Sequence, residues 1–232
     1  MKLTGRRILV VGGSRGIGAA VARGARDAGA EVVVASRTRG NWDGEWWEWD
    51  VTREDGVQEV EGNLDGVVYC PGSVVLKPFG SLRGEVWRQE WELNVMGAVR
   101  VLQRCERALF RGEGVGSVVL VSSVAAGVGM RYHACVGTVK GAVEGLGRSL
   151  AAEWAPRVRV NVVAPSLTNT MLAGRLLETE EKRKAVAERH PLTGYNEAED
   201  VAGMILFLLG DGARRVTGEV WRVDGGVGAV RV

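Results

Sequence analysis

Apolar and polar positions run along this chain in two rhythms. Short β-branched runs stand at Ile8–Val11, Glu31–Ala35, Val67–Cys70, Ser117–Ser122 and Arg159–Ala164, with a weaker sixth at Glu219–Val223. Longer stretches rich in Ala, Gly, Arg and Leu lie at Gly16–Gly29, Ser81–Phe110, Tyr132–Trp154 and Glu197–Leu209, each able to form a helix. Strands alternating with helices pair in parallel through right-handed crossovers, which puts helices on both faces of one sheet. The pattern predicts an α/β fold with a doubly wound parallel sheet of about seven strands, the last near Val220–Val223. No Pro/Ser-rich linker or repeat interrupts it, so residues 1–232 are expected to form one domain.

One crossover is short. Only nine residues separate Ser36, at the end of the second strand, from Trp46 in the third. A helical crossover needs at least about ten to twelve, so a turn around Arg39-Gly40-Asn41 is expected instead. The same stretch holds Trp42, Trp46, Trp47 and Trp49, half of the eight tryptophans. Two readings stay open: the indoles cover sheet surface that the missing helix leaves bare, or they form a patch for a partner or ligand.

Composition narrows the function classes. Thirty Lys and Arg face 28 Asp and Glu, so no overall field favours nucleic acid or a membrane surface. No apolar run approaches the length of a membrane span, and the N-terminus lacks the pattern of a signal peptide, so a cytoplasmic location is expected. Cys70, Cys105 and Cys135 lie far apart without histidine partners at zinc spacing; they read as free thiols, and no metal site is expected.

The first strand runs into Gly12-Gly13-Ser14-Arg15-Gly16-Ile17-Gly18 and then a helix. Glycines there allow a tight turn, close approach of backbone to a pyrophosphate, and close helix–strand packing. The helix N-terminus adds free amides and a positive dipole end. Strand, glycine turn and helix in that order predict a dinucleotide site.

With these residues the chain resembles the short-chain dehydrogenase/reductase family, whose TGxxxGIG turn matches except that Val11 replaces the threonine. Five further segments match in order. Asp50-Val51 resembles the family's adenine-contacting pair, and Asn94-Val-Met-Gly97 its Asn-x-x-Gly helix motif. Pro165-Ser166-Leu-Thr168-Asn-Thr170 resembles Pro-Gly-x-x-x-Thr, and Val223-Asp224-Gly225-Gly226 the C-terminal signature. Tyr69-Cys70-Pro71-Gly72 stands where Asn-Asn-Ala-Gly is usual, so only Gly72 matches. The resemblance implies a Rossmann-type fold. It also implies assembly as a dimer or tetramer, through helices corresponding to Ser81–Phe110 and Tyr132–Trp154.

The second strand ends in Ser36-Arg37, and the turn contributes Arg15. An acidic residue at that strand end would hold the 2′-hydroxyl of NAD; arginine accommodates the 2′-phosphate of NADP. Two guanidiniums and no carboxylate predict NADP(H).

The family's chemistry uses Ser, Tyr and Lys, with an Asn supporting a water relay. The tyrosine protonates the carbonyl oxygen, the lysine lowers its pKa and holds the nicotinamide ribose, and the serine hydrogen-bonds the same oxygen. By resemblance Lys140, Ser123 and Asn94 match, but the tyrosine position, four residues before Lys140 and thirteen after Ser123, holds Val136. Valine neither donates nor accepts a proton. Tyr132 lies eight positions before Lys140, about 12 Å along a helix and ~80° round it, so it reaches the pocket only through a bent helix start. His133 is nearer, and an imidazole can donate near neutral pH.

Three readings follow. The first is an NADP(H)-dependent oxidoreductase on a carbonyl/alcohol pair with an unusual proton donor. The second is a catalytically silent NADP(H)-binding subunit or sensor, joined to a homologous chain. The third is a non-redox isomerase or dehydratase. Residues 168–191 carry Met171, Leu172, Leu176 and Leu177 among many charges and read as a mobile amphipathic lid over a small, apolar substrate.

Overall fold

The computed structural model describes residues 2–112 and 114–231. Seven strands form one sheet: β1 (Arg7–Val11), β2 (Glu31–Ser36), β3 (Glu45–Glu48), β4 (Gly66–Tyr69), β5 (Gly116–Val121), β6 (Val158–Pro165) and β9 (Val220–Val223). Their order is β3-β2-β1-β4-β5-β6-β9, and every pairing is parallel. A separate two-stranded ribbon joins β7 (Thr168–Asn169) to β8 (Asn196–Glu197).

The central strands are apolar on both faces because helices cover both. In β1, Leu9 and Val11 face α3 (Gly97–Arg111) and α4 (Ala134–Trp154), sharing a core with Val101, Leu102, Val139 and Val143. Ile8 and Val10 face α1 (Gly16–Asp27) and α6 (Ala198–Leu209), packed with Val21, Ala25, Ile205 and Leu208. The alternation is the two-residue period of a strand. Helix α6 starts at a capping box in which Glu197 and Asp200 satisfy each other's backbone amides.

Neither crossover flanking β3 contains a helix, so the trimming extends beyond the one short loop that the spacing predicts. The indoles fill the gap. Trp42 is buried on the α1 side, beneath the Arg26 guanidinium, with Nε1 donating to the Glu45 carbonyl. Trp49 is buried on the opposite face. Trp46 and Trp47, neighbours in β3, pack against the two faces in turn. The first reading of the cluster, cover for bare sheet, describes what these side chains do.

Two helices depart from their expected bounds. The stretch Ser81–Phe110 divides into a 3-10 turn at Phe79–Ser81, α2 (Gly84–Trp91), a wide π turn at Glu92–Met96, and α3. The helix expected from Tyr132 begins at Ala134, because Tyr132 has φ 69° and lies in the left-handed region, where no helix runs. Among the described residues, no helix is long and apolar enough to cross a membrane, and no three His, Cys, Asp or Glu gather as metal ligands.

Candidate active site

Strand order reverses between β1 and β4, and in open parallel sheets that reversal leaves a crevice at the strands' carboxyl ends. The glycine turn after β1 and Cys70-Pro71-Gly72 after β4 meet there. Gly12 has φ 77°, and a Cβ on it would lie 3.1 Å from the Pro71 ring. A Cβ on Gly18 would strike the Gly12 carbonyl, so α1 packs against the turn at backbone distance. The amides of the first helical residues, Gly16, Ile17 and Gly18, have no intrahelical acceptor, and no side chain caps the helix start at this backbone-lined turn. A pyrophosphate fits such a cradle.

Ser14 and Arg15 complete the turn, and the Ser14 carbonyl backs onto Gly40 of the short β2–β3 crossover. Arg15 and Arg37 are exposed, and among the described residues neither guanidinium has a hydrogen-bond or ion-pair partner. Arg39, by contrast, is tied to the carbonyls of Trp42 and Gly44. The Ser36 hydroxyl bonds the Thr38 carbonyl and accepts from Trp46 Nε1. Asp50 is held below the ordinary carboxylate range, first by the Thr52 hydroxyl, with Arg37 and Arg53 adding attraction. Val51, beside it, is buried. Pro165 ends β6; beyond it, the Thr168 hydroxyl bonds the Ser166 carbonyl and the Thr170 methyl faces Gly16.

At the other end of the crevice, Lys140 rises from α4 with only 6% of its surface exposed. Its ammonium donates to the Val121 carbonyl at 2.9 Å, two residues before Ser123. Burial pushes its pKa down to about 8. The Cys70 thiol beside it is pushed up to about 12, also by burial, and stays protonated. Asn94 lies in the π turn. The Tyr69 hydroxyl donates to the Leu93 carbonyl in that turn, and a side chain at Gly97 would strike the same hydroxyl. That contact accounts for glycine three residues after Asn94.

Lys140 and Asn94 converge over Gly72. A Cβ there would lie 3.1 Å from Lys140 Nζ and 3.4 Å from Asn94 Oδ1, so only glycine leaves both polar atoms free. Asn94 Oδ1 is buried without a partner. A buried acceptor of that kind calls for a donor from water or a ligand. Together with the cradle, it fits a bound nucleotide. Ser123 is half-buried, begins a 3-10 turn and accepts from the Ala125 amide at 3.2 Å. Its neighbour Ser122 instead donates to Glu144 at 2.8 Å.

Val136 is 7% exposed, one helical turn before Lys140 on the same face. The Tyr132 ring lies outside the helix start under the Arg131 guanidinium, at 4.8 Å, and its hydroxyl bonds neither Lys140 nor Ser123. His133 stands at the N-cap of α4, half-buried, with Nδ1 2.7 Å from the Arg131 carbonyl. A carbonyl only accepts, so Nδ1 carries a proton and Nε2 donates only when the ring is an imidazolium.

The expected lid forms a 3-10 turn (Met171–Leu176) and α5 (Glu180–Ala187). Ala173 and Leu177 turn inward, while Met171 is 80% exposed and Leu172 is also exposed. A cavity of about 710 Å³ between this segment's two halves is lined by Leu177, Arg183 and Tyr195 and shares no residue with the Lys140 site. One feature escapes sequence reading. Glu90 and Ser73 bury a carboxylate beside Asn94, and only the four-residue spacing of Glu90 and Asn94 along a helix hints at it.

The family model described as Enoyl-(Acyl carrier protein) reductase matches residues 11–228. L-xylulose reductase of Bos taurus is 32% identical over 240 residues, 97% of this chain and 98% of that protein. A short-chain type dehydrogenase/reductase from Mycobacterium ulcerans superposes with a TM-score of 0.90 at 36% identity, covering 100% of this chain and 92% of its own. A gluconate 5-dehydrogenase from Burkholderia cenocepacia, in complex with NADP and tartrate, gives 0.91 at 25% identity, covering 99% and 98%.

Proposed function

The chain belongs to the short-chain dehydrogenase/reductase family, and we propose that it is an NADP(H)-dependent oxidoreductase acting on a carbonyl/alcohol pair with a proton donor other than tyrosine. One observation carries the reading: the Lys140 ammonium, with hydrogens to spare beyond its one carbonyl bond, and the unpartnered Asn94 Oδ1 converge over Gly72, at the crevice whose other end is the glycine cradle. The relatives L-xylulose reductase and gluconate 5-dehydrogenase support redox chemistry, and the latter's bound NADP supports the cofactor.

NADPH, when bound, supplies the hydride. The amides of Gly16, Ile17 and Gly18 hold its pyrophosphate, while Gly12 and Ser14 shape the turn. Arg15 and Arg37, beside Ser36, grip the 2′-phosphate. Asp50 and Val51 border the adenine; Gly72, Pro165, Thr168 and Thr170 line the nicotinamide end; and Lys140 holds the ribose. Ser123 orients the carbonyl oxygen. The proton donor is His133, through Nε2 of the imidazolium, or Tyr132 if its ring leaves its place under Arg131 and swings toward the pocket.

Exposed Val74 and Phe79 after β4, Met130 after β5, and Met171 and Leu172 after β6 rim the strands' carboxyl ends and favour an apolar small molecule as substrate. Residues 168–191 close over it, within one domain of residues 1–232. Assembly is a dimer or tetramer through α2–α3 and α4, and three free cysteines suit the cytoplasm.

Val136 itself favours a second reading, a silent NADP(H)-binding subunit that works beside a homologous chain. NADPH titration followed by a ketone panel separates the two. Oxidation of NADPH, lowered by His133→Ala or Tyr132→Phe, supports the enzyme. Binding without turnover selects the silent subunit. No binding removes both.

A further inference from the structure

Glu90 is 5% exposed, and among the described residues no lysine or arginine bonds it. Its Oε2 accepts from the Ser73 hydroxyl and from Asn94 Nδ2 at 3.4 Å, and the same Nδ2 donates to the Glu90 carbonyl at 2.9 Å. The carboxylate thus reaches from α2 to Ser73, next to Gly72, and to the Nδ2 end of Asn94. The other end, Oδ1, lies with Lys140 Nζ beside Gly72. This brings Glu90 near Lys140, though among the described residues the two make no direct ion pair. A buried carboxylate and a buried ammonium each cost free energy alone and offset one another when close.

Lys140 needs such a partner. Among the described residues its one hydrogen bond is to a neutral carbonyl, and Val136 removes the phenol that would otherwise share its site. The titratable groups acting on it are Cys70, from the end of β4, and Glu90. Cys70 stays a neutral thiol, as does Cys135 of α4, which faces Glu90 and is also raised by burial. Glu90 is the one carboxylate among them.

We infer that Glu90, locked in place by Ser73, is a positioning residue that supplies the counter-charge of Lys140 and so holds it as the ribose-binding cation. This rests on the cofactor reading above only for the last step, from cation to ribose. The charge pairing belongs to the apoprotein and can be measured without cofactor.

The test is the titration of Lys140 by NMR of the full chain carrying ¹³C at the lysine side chains. There are only five lysines, Lys2, Lys77, Lys140, Lys182 and Lys184, and Lys140→Met assigns the signal. The wild-type midpoint is expected at about 8. In Glu90→Gln, which keeps the side chain's shape and can still accept from Ser73, it falls by about one pH unit, a tenfold loss of proton affinity. Glu90→Asp falls less, and Ser73→Ala, which frees the carboxylate, gives a smaller drop still. An unchanged midpoint in Glu90→Gln, or in Ser73→Ala if the first variant fails to fold, overturns the assignment.

NADPH affinity measured across the same pH range then tests the last step. Glu90→Gln should match wild type near about pH 6, where the ammonium is protonated in both, and be about fivefold weaker near about pH 8, where about half of the wild-type ammonium but only about a tenth of the variant's is protonated. Equal weakening at every pH would mark a merely structural role and overturn the assignment. If wild type binds no NADPH at any pH, the cofactor reading fails while the charge pairing stands or falls on the NMR titration alone.

Discussion

The glycine turn at Gly12–Gly18 and the α4 face at Val136–Lys140 flank the same crevice but are built on different terms. The turn acts through its backbone. Gly12 has positive φ against Pro71, and Gly18 packs on the Gly12 carbonyl, so no other residue fits either position. The helix face acts through side chains. Valine occupies position 136 within an unbroken helix whose core neighbours, Val139 and Val143, stay buried. A site made of backbone resists change, whereas a site made of side chains can lose its chemistry and leave the fold untouched. The proposed cofactor binding and proton donation are therefore expected to be separable.

The largest expected effect is at position 136. A positioned general acid is worth about 10²- to 10⁴-fold, so Val136→Tyr should raise ketone reduction by roughly that range, followed as NADPH absorbance. No gain would mean that the pocket is reshaped as well as stripped of its donor. Next comes Arg37→Ala. A charge-assisted hydrogen bond contributes about 1.5–3 kcal/mol, so NADPH should bind about 10- to 100-fold more weakly while NADH is unaffected, as read by fluorescence titration. Equal loss for both cofactors would make Arg37 a loop support.

The smallest effect is on stability. Folding lowers the Lys140 pKa to about 8, so between that value and the unfolded pKa of about 10.4 the unfolded chain holds the proton more tightly. Below about pH 8 the folded chain bears the burial cost, and raising the pH relieves it. Lys140→Met should therefore raise the apoprotein's melting temperature near about pH 7 in a Glu90→Gln background, where no buried carboxylate is left without its counter-charge, by about 2–4 °C per kcal/mol gained. The gain should fade toward about pH 10. A melting temperature lowered at every pH would contradict it.

Much of this was legible in the residues. The β-branched runs located the central strands because both sheet faces are covered, and continuous apolar runs then have no competing reading. The glycine turn was legible because its requirement is steric. Three features were not. The helix-free crossover between β3 and β4 is filled by Val51, Val57, Val60 and Leu64; the last three keep an i, i+3, i+7 spacing that imitates a helix although none forms. The π turn depends on a contact from Tyr69, 24 residues away from Leu93 in sequence. Glu90 looks like Glu85 of the same polar helix and Glu92 just beyond it; its burial comes from packing against residues distant in the chain, and only its four-residue spacing from Asn94 hints at it.

The most direct measurement follows NADPH binding and ketone turnover together, in the wild-type chain and in Val136→Tyr. Both should bind NADPH within about threefold of each other, below the roughly tenfold that 1.4 kcal/mol would produce, while only the variant turns over rapidly. A wild-type chain that binds no NADPH, or a variant whose affinity changes as much as its rate, would contradict the separation of cradle from proton donor.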